Sequence, residues 1–84
     1  MTQTNIQSYS LDYYLNLKYP MSIYPEEDGG YVVLLLDLPG CMAQGKTLEE
    51  ALANIEEAQE LWIETVYASG KREISLPSQL EQKI

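Results

Sequence analysis

The chain has 84 residues, which is enough for one small hydrophobic core and therefore for a single domain. Thirteen Asp and Glu against five Lys and Arg give a formal net charge of −8, which disfavours binding to nucleic acid or anionic lipid and favours a basic partner. With no His and one Cys, the sequence lacks the commonest metal ligand and cannot form an internal disulfide.

The N-terminal residues up to Ser10 are polar and have neither the basic region nor the apolar core of a signal peptide, so we expect a cytoplasmic protein. A short helical turn is predicted after Ser10, which suits an N-cap, and Pro20 ends it. We therefore divide the chain into a flexible tail with a short turn over residues 1–15, one domain over 16–78 and a C-terminal tail over 79–84.

Three strands are predicted next. Residues 19–24 alternate in the manner of a half-buried strand, and the turn of residues 25–30, rich in Pro, Asp and Gly, closes a hairpin. The run Tyr31–Leu36 is apolar on both faces, which indicates a central strand with one face under a helix and the other partly covered by another chain. This run is too short to span a membrane. Residues 41–44 return as a short third strand.

A long helix is predicted from Leu48 to about Ala68. Thr47 and Glu50 form a capping box, in which each side chain accepts a backbone N–H, and Gly70 suits the C-terminal cap. The apolar stripe of this helix contains Leu48, Ala51, Leu52, Ile55, Ala58, Trp62 and Val66. Its opposite face carries Glu49, Glu56, Glu57, Glu60 and Glu64.

A last short strand is predicted over residues 72–76, ahead of Pro77. The resulting order is β-β-β-α-β. It predicts an α+β domain in which a small antiparallel sheet has one long helix packed on one face.

The connector of residues 40–47, GCMAQGKT, suggests a phosphate-binding loop or a nucleophilic cysteine. The rest of the sequence supports neither of these sites. The spacing of the connector matches a phosphate-binding P-loop, but the chain is too short for the large parallel sheet that such a loop requires. Thr47 is already explained as a helix cap. A nucleophilic Cys41 would need a nearby His or another group that lowers its pKa, so we interpret Cys41 as a buried structural residue. We expect no cofactor.

Acidic side chains remain as candidates. Glu26, Glu27, Asp28 and Asp37 cluster around the predicted hairpin. A metal site requires acids that converge from rigid elements, whereas the first three of these lie in a turn, so we expect no bound metal. A solvated surface and a docking face for a basic protein both explain the acids of the turn and of the helix. The candidate partner-binding residues are Glu26, Glu27, Asp28, Asp37, Glu49, Glu56, Glu57, Glu60 and Glu64.

A combined motif covering about residues 19–78 resembles the HicB antitoxin family. The matching positions are Gly30-Tyr31, Asp37, Leu38-Pro39-Gly40-Cys41, Gly45, Thr47 and Glu49-Glu50-Ala51, followed by the segment ISLPS. The resemblance implies a partial RNase H-like fold. It also implies the role of an antitoxin in a type II toxin–antitoxin system, which binds and masks HicA, a small basic toxin that cleaves RNA.

The sequence departs from the family at several points. Many members continue into a DNA-binding segment, but this sequence ends soon after Pro77, so we expect no direct contact with nucleic acid. Lys46 stands where the family often has an acid. RNase H chemistry needs acids placed across the strands around metal ions. The predicted strand interiors, residues 19–24 and 31–36, contain none, so we expect no enzyme activity.

Two alternatives remain beside the antitoxin interpretation. One is a stand-alone HicB-like domain whose partner is not a toxin, and the other is a metal-dependent nuclease. The strand that is apolar on both faces also predicts a homo-oligomer, most simply a dimer.

Overall fold

The computed structural model describes residues 8–78. Residues 1–7 of the predicted N-terminal tail and the whole predicted C-terminal tail lie outside the described residues. The class is α+β, as predicted, with a three-stranded antiparallel sheet in the order β1-β2-β3 and one long helix. The elements in chain order are α1 (Leu11–Leu15), β1 (Ser22–Pro25), β2 (Tyr31–Leu34), β3 (Met42–Gly45) and α2 (Leu48–Ser69).

The sheet register determines which side chains face α2. Val33 in the central strand lies opposite Ile23 of β1 and Ala43 of β3, and its side chain is fully buried. Because side chains alternate along a strand, Val32 and Leu34 point to the other face, where they are only half-buried. The helix packs on β3 and β2, and β1 and β3 are the two edge strands of the sheet. The core consists of Tyr14, Tyr19, Val33, Leu35, Leu38, Cys41, Ala51, Ile55, Ile63 and Ile74.

The caps of α2 are where the sequence predicts them. The Thr47 hydroxyl accepts the Glu50 N–H at 3.1 Å. The Glu50 carboxylate accepts the N–H of Lys46 at 2.6 Å, one residue before the cap. Gly70 ends the helix in the left-handed conformation, with φ 65°, and its N–H donates to Val66. The helix is therefore defined by contacts within its own first and last turns.

Gly45 controls how closely β3 approaches α2. A Cβ atom at this position would lie 2.5 Å from the backbone nitrogen of Ala51 and 2.9 Å from the carbonyl carbon of Glu50. Since side chains do not approach backbone atoms so closely, only glycine allows this packing. This glycine therefore lies where strand and helix touch.

The apolar stripe of α2 differs from the predicted one at two positions. Ile63 is fully buried although the predicted stripe omits it, and Leu48 is 40% exposed although the stripe includes it. The buried row advances in steps of four residues from Ala51 through Ile55 toward Ile63. Leu48 lies at the start of the helix, outside that row.

The three observed strands are shifted slightly from their predicted bounds. β1 begins three residues later than predicted, β2 ends two residues earlier, and β3 is displaced by one residue.

Trp62 of α2 donates its indole N–H to the Pro39 carbonyl at 2.9 Å. This contact holds the turn after β2 against the helix.

The fourth strand predicted over residues 72–76 is wrong, because the structure assigns no strand there. Side chains attach this segment instead. The Tyr19 hydroxyl donates to the Ser75 carbonyl at 2.5 Å, and the Ser78 N–H donates to the Asp37 carboxylate at 2.9 Å. The segment therefore packs on the core without joining the strand ladder.

The predicted N-terminal turn is present as α1. The Ser10 hydroxyl accepts the Tyr13 N–H at 3.3 Å, and Tyr14 is buried. The Tyr14 ring meets Tyr67 of α2 edge-on, with 6.1 Å between ring centroids, so α1 adds to the core.

The predicted boundary between the N-terminal tail and the domain, at residues 15 and 16, stays a prediction. Among the helices of residues 8–78, none is both long and apolar enough to cross a membrane.

Candidate functional site

The loop between β1 and β2 brings three of the predicted acids together on a hydrogen-bonded turn. The Glu26 N–H donates to the Gly30 carbonyl at 2.7 Å, and the Gly29 N–H donates back to the Glu26 carbonyl at 3.0 Å. Asp28 accepts the Gly30 N–H at 3.3 Å. We call Glu26, Glu27 and Asp28 the acidic turn. All three are exposed, and their backbone is held in a defined conformation.

The sheet side that points away from α2, which we call the outer face, is largely apolar. Pairing across the three strands forms two rows. One row is Ser22, Leu34 and Met42, and the other is Tyr24, Val32 and Gln44. Tyr24 is 52% exposed and Met42 is 53% exposed. Two edge strands thus extend the apolar surface of the central strand.

Leu36 lies just beyond this surface, in the turn after β2, and is 70% exposed. The sequence predicted that one face of the central strand lies under a helix and that the other is partly covered by another chain, and this covering stays a prediction. The sequence did not predict that Tyr24 and Met42 contribute to that face, because their contribution depends on the register between strands.

The acidic turn and the outer face share a shallow depression of about 490 Å³. Its lining combines Tyr24, Pro25 and Val32 with all three acids of the turn. An aromatic ring, an aliphatic wall and carboxylates together suit a cationic side chain with an apolar stem.

A second depression, of about 510 Å³, lies at the same end of the sheet. Two acids of the turn, Glu26 and Asp28, meet Lys46, Glu50 and Asn54 there. Glu50 was not among the candidate residues, because its capping role already explained it. The Lys46 ammonium offsets part of the negative charge on this side of the turn.

Asp37 lies away from the acidic turn, at the opposite end of β2. Its carboxylate is half-buried and accepts the Ser78 N–H. Burial, followed by the charge of Asp37, raises the pKa of Tyr19 from 10.0 to about 12. The structure thus gives Asp37 an internal contact that the sequence did not indicate.

The predicted helix glutamates form a separate surface on α2. Glu57, Glu60 and Glu64 surround Leu61, which is 66% exposed, in a depression of about 490 Å³. Glu56 joins Glu57 and Glu60 in a neighbouring depression. Glu49 lies in the first turn of the helix, about two turns before Glu56, the nearest of the others. The sequence missed Leu61, which lies outside the buried row.

The connector of residues 40–47 has the structural role that the sequence indicated. Cys41 is buried in the core, and burial raises the pKa of its thiol. The connector contains β3 and the Thr47 cap, which is an antiparallel strand followed by a helix start. Among residues 8–78, no group of three His, Cys, Asp or Glu side chains is arranged to hold a metal ion.

Comparison with known proteins connects this structure to one family. A family model described as a HicB-like antitoxin of bacterial toxin–antitoxin systems matches residues 19–84. The UPF0150 protein ssl0259 of Synechocystis is 39% identical over 64 residues, covering 76% of this chain and 88% of that protein. The UPF0150 protein Ta0767 of Thermoplasma acidophilum is 52% identical over 50 residues, covering 60% of this chain and 72% of its own length.

Relatives with a functional name are longer than this chain. Antitoxin HicB of Escherichia coli K12 is 34% identical over 64 residues, covering 76% of this chain but 46% of that protein. Antitoxin HicB 1 of Photorhabdus laumondii is 37% identical over 67 residues, which cover 43% of its length. No solved structure matches.

Proposed function

The chain belongs to the HicB-like antitoxin family of bacterial toxin–antitoxin systems, and from this premise we propose that it binds and masks a small basic, RNA-cleaving toxin of the HicA type. The family match over residues 19–84 is the observation that carries the proposal. The net charge of −8 supports it, because an acidic protein is attracted to a basic one.

Masking of this kind requires no chemistry from the antitoxin, so we propose a non-enzymatic role. A protein that cleaves RNA needs a positive surface for the phosphates of its substrate. Acidic side chains that occupy this surface exclude RNA both sterically and electrostatically. The candidates for this charge are the acidic turn, Asp37 and the helix glutamates, which lie on separate surfaces of the molecule.

The proposal includes a cytoplasmic homo-oligomer, most simply a dimer, without direct contact to nucleic acid. Within residues 8–78, β1 pairs with β2 on one side only. An edge strand of this kind can pair with the same strand of a second copy. Light scattering on the purified chain measures the oligomeric state.

Inhibition of RNA cleavage tests the proposed function. The genes next to that of this chain are searched for a small basic protein of the HicA type, and cleavage of RNA by that purified protein is followed while the chain is titrated in. We expect cleavage to stop near a stoichiometric amount of the chain. Unchanged cleavage in the presence of excess folded chain would overturn the proposal.

A stand-alone HicB-like domain with a non-toxin partner is the second candidate. It is considered because two of the similar relatives, ssl0259 of Synechocystis and Ta0767 of Thermoplasma acidophilum, are named UPF0150 proteins and not antitoxins. Pull-down of the tagged chain from its own cell extract distinguishes the candidates, since recovery of a protein without RNA-cleaving activity supports the second. An assay of the chain alone with RNA and magnesium or manganese tests the nuclease alternative.

A further inference from the structure

Two exposed surfaces could receive a protein partner, and they differ in composition. Stable interfaces bury an apolar centre and leave charges at the rim. The two cross-strand rows of the outer face contain no Asp, Glu, Lys or Arg, and the acidic turn lies at one end of them. On α2 the arrangement is reversed, because the small apolar area of Leu61 and Ala58 is flanked by three glutamates.

We propose that the basic partner docks on the outer face, with a Lys or Arg side chain in the depression beside the acidic turn, and that the helix glutamates stay in solvent. This inference rests on the proposed function and assigns it to one of the two acidic surfaces. The Tyr24 ring provides a surface for the cation, and the carboxylates of the turn provide its counter-charge.

The charge distribution favours a basic protein over a second copy as the occupant. In a symmetric dimer each copy presents the same patch to the other. The outer-face rows contain no cation that could pair with the acidic turn of a twin. A basic partner satisfies this negative charge, whereas a second copy adds its own.

The backbone around the outer face is held in place before binding. The acidic turn has three internal hydrogen bonds, and Trp62 anchors the turn that carries Leu36 to α2. Docking there would order few additional backbone groups, which preserves more of the interaction energy for affinity.

Matched variants separate the two surfaces. The turn variant is Glu26→Gln/Glu27→Gln/Asp28→Asn. The helix variant, Glu57→Gln/Glu60→Gln/Glu64→Gln, removes the same amount of charge from α2. The face variant, Tyr24→Thr/Met42→Thr, replaces two exposed side chains with a residue that suits strands.

Calorimetric titration uses a catalytically inactive form of the HicA-type protein sought for the cleavage assay. Circular dichroism confirms that each variant folds. We expect the turn and face variants to bind at least about tenfold more weakly, and the helix variant to bind within about threefold of the original chain. Equal weakening by the turn and helix variants, or unchanged binding by the face variant, would overturn the inference.

Two further outcomes are distinguishable. If the unmodified chain does not bind the basic protein at all, the proposed function fails together with the inference. If the face variant abolishes self-association measured by light scattering while binding of the basic protein is retained, the outer face holds a second copy and the inference is overturned.

Oxidation of methionine by peroxide gives a test without substitution. Met42 is on the outer face, whereas Met21, which is 44% exposed, lines a groove beside α2. We expect the basic protein to protect Met42 and leave Met21 reactive. Protection of Met21 alone would place the partner on the helix side and contradict the inference.

Discussion

At the scale of single residues, Tyr19 connects parts of the chain that are distant in sequence. Its ring is buried, its hydroxyl donates to the Ser75 carbonyl, and it experiences the charge of Asp37. Ionisation of this hydroxyl would remove the donated hydrogen. It would also place a negative charge in the core, near the negative charge of Asp37. The attachment of the C-terminal segment therefore depends on a neutral tyrosine.

The substitution Tyr19→Phe tests this attachment. Because the folded pKa of about 12 is above the ordinary value of 10.0, the stability due to Tyr19 is complete below pH 10.0 and is lost as the pH rises toward 12. We expect the variant to lose about 1 kcal/mol of unfolding free energy at neutral pH, for the missing hydrogen bond. Above pH 10.0 its stability should decrease less steeply than that of the original chain.

Urea unfolding at a series of pH values measures both effects. Tyr24→Phe is the matched control, since the Tyr24 ring is 52% exposed and lies at the other end of the sheet from Asp37, so its substitution should leave the steepness unchanged. If Tyr19→Phe kept the alkaline loss of the original chain, the assignment of that loss to Tyr19 would be wrong.

At the scale of elements, local signals were predictable and long-range contacts were not. The caps of α2 could be read from the sequence because Thr47, Glu50 and Gly70 act within one turn of the helix. The fourth strand was predicted wrongly because its segment is held by side chains 41 and 56 residues away in sequence. A pattern of neighbouring residues contains no information about those contacts.

The candidate site was predictable to the same extent. Residue types identified the acidic side chains, and neighbouring positions placed three of them in one turn. The separation of that turn from the glutamates of α2 depends on how the helix lies on the sheet. The apolar centre beside the turn depends on strand register, which aligns Tyr24 with Val32 and Met42 with Leu34.

Helix α2 has an exposed row of like charges, which predicts a simple route to higher stability. Glu60 is one turn from both Glu56 and Glu64, and the sequence has no Lys or Arg between residues 47 and 70. Like charges at this spacing are destabilising, and opposite charges are stabilising, by about 0.2–0.5 kcal/mol per pair. Because two repulsive pairs are replaced by two attractive ones, we expect Glu60→Lys to raise the free energy of unfolding by about 0.8–2 kcal/mol at low salt.

Urea unfolding again provides the measurement, with Glu60→Gln as a control that removes repulsion without adding attraction. The control should gain about half as much, and high salt should reduce both gains. A Glu60→Lys variant no more stable than Glu60→Gln would show that the new pairs contribute nothing. Since the inferred docking surface excludes α2, this variant should bind the partner within about threefold of the original affinity.

At the scale of the whole molecule, the two faces of the sheet are covered unequally. One face of the sheet is packed under α2, and the outer face remains open within residues 8–78. Helix α1 precedes the residues that the family model matches and adds the buried Tyr14 to the helix side. The additional N-terminal packing thus strengthens the covered side of the sheet and leaves the outer face unchanged.

Net charge acts on the free chain and on its complex in opposite directions. With a net charge of −8, the negative side chains of the folded chain repel one another, which destabilises the fold. The same side chains attract a basic partner. Salt screens both interactions. Between about 0.01 and 0.3 M sodium chloride we expect the melting temperature of the free chain to rise by roughly 3–5 °C, while the Kd for the basic partner increases at least about tenfold.

Thermal unfolding and calorimetry over this salt series provide the two measurements, and the charge variants make them specific to a surface. Removing charge from the acidic turn should reduce the salt dependence of the Kd, because those carboxylates would no longer lie against the cation of the partner. Removing the same charge from α2 should leave the salt dependence of the Kd close to that of the original chain. A Kd independent of salt in all three proteins would mean that apolar contact alone drives association, and the negative charge would then serve solubility.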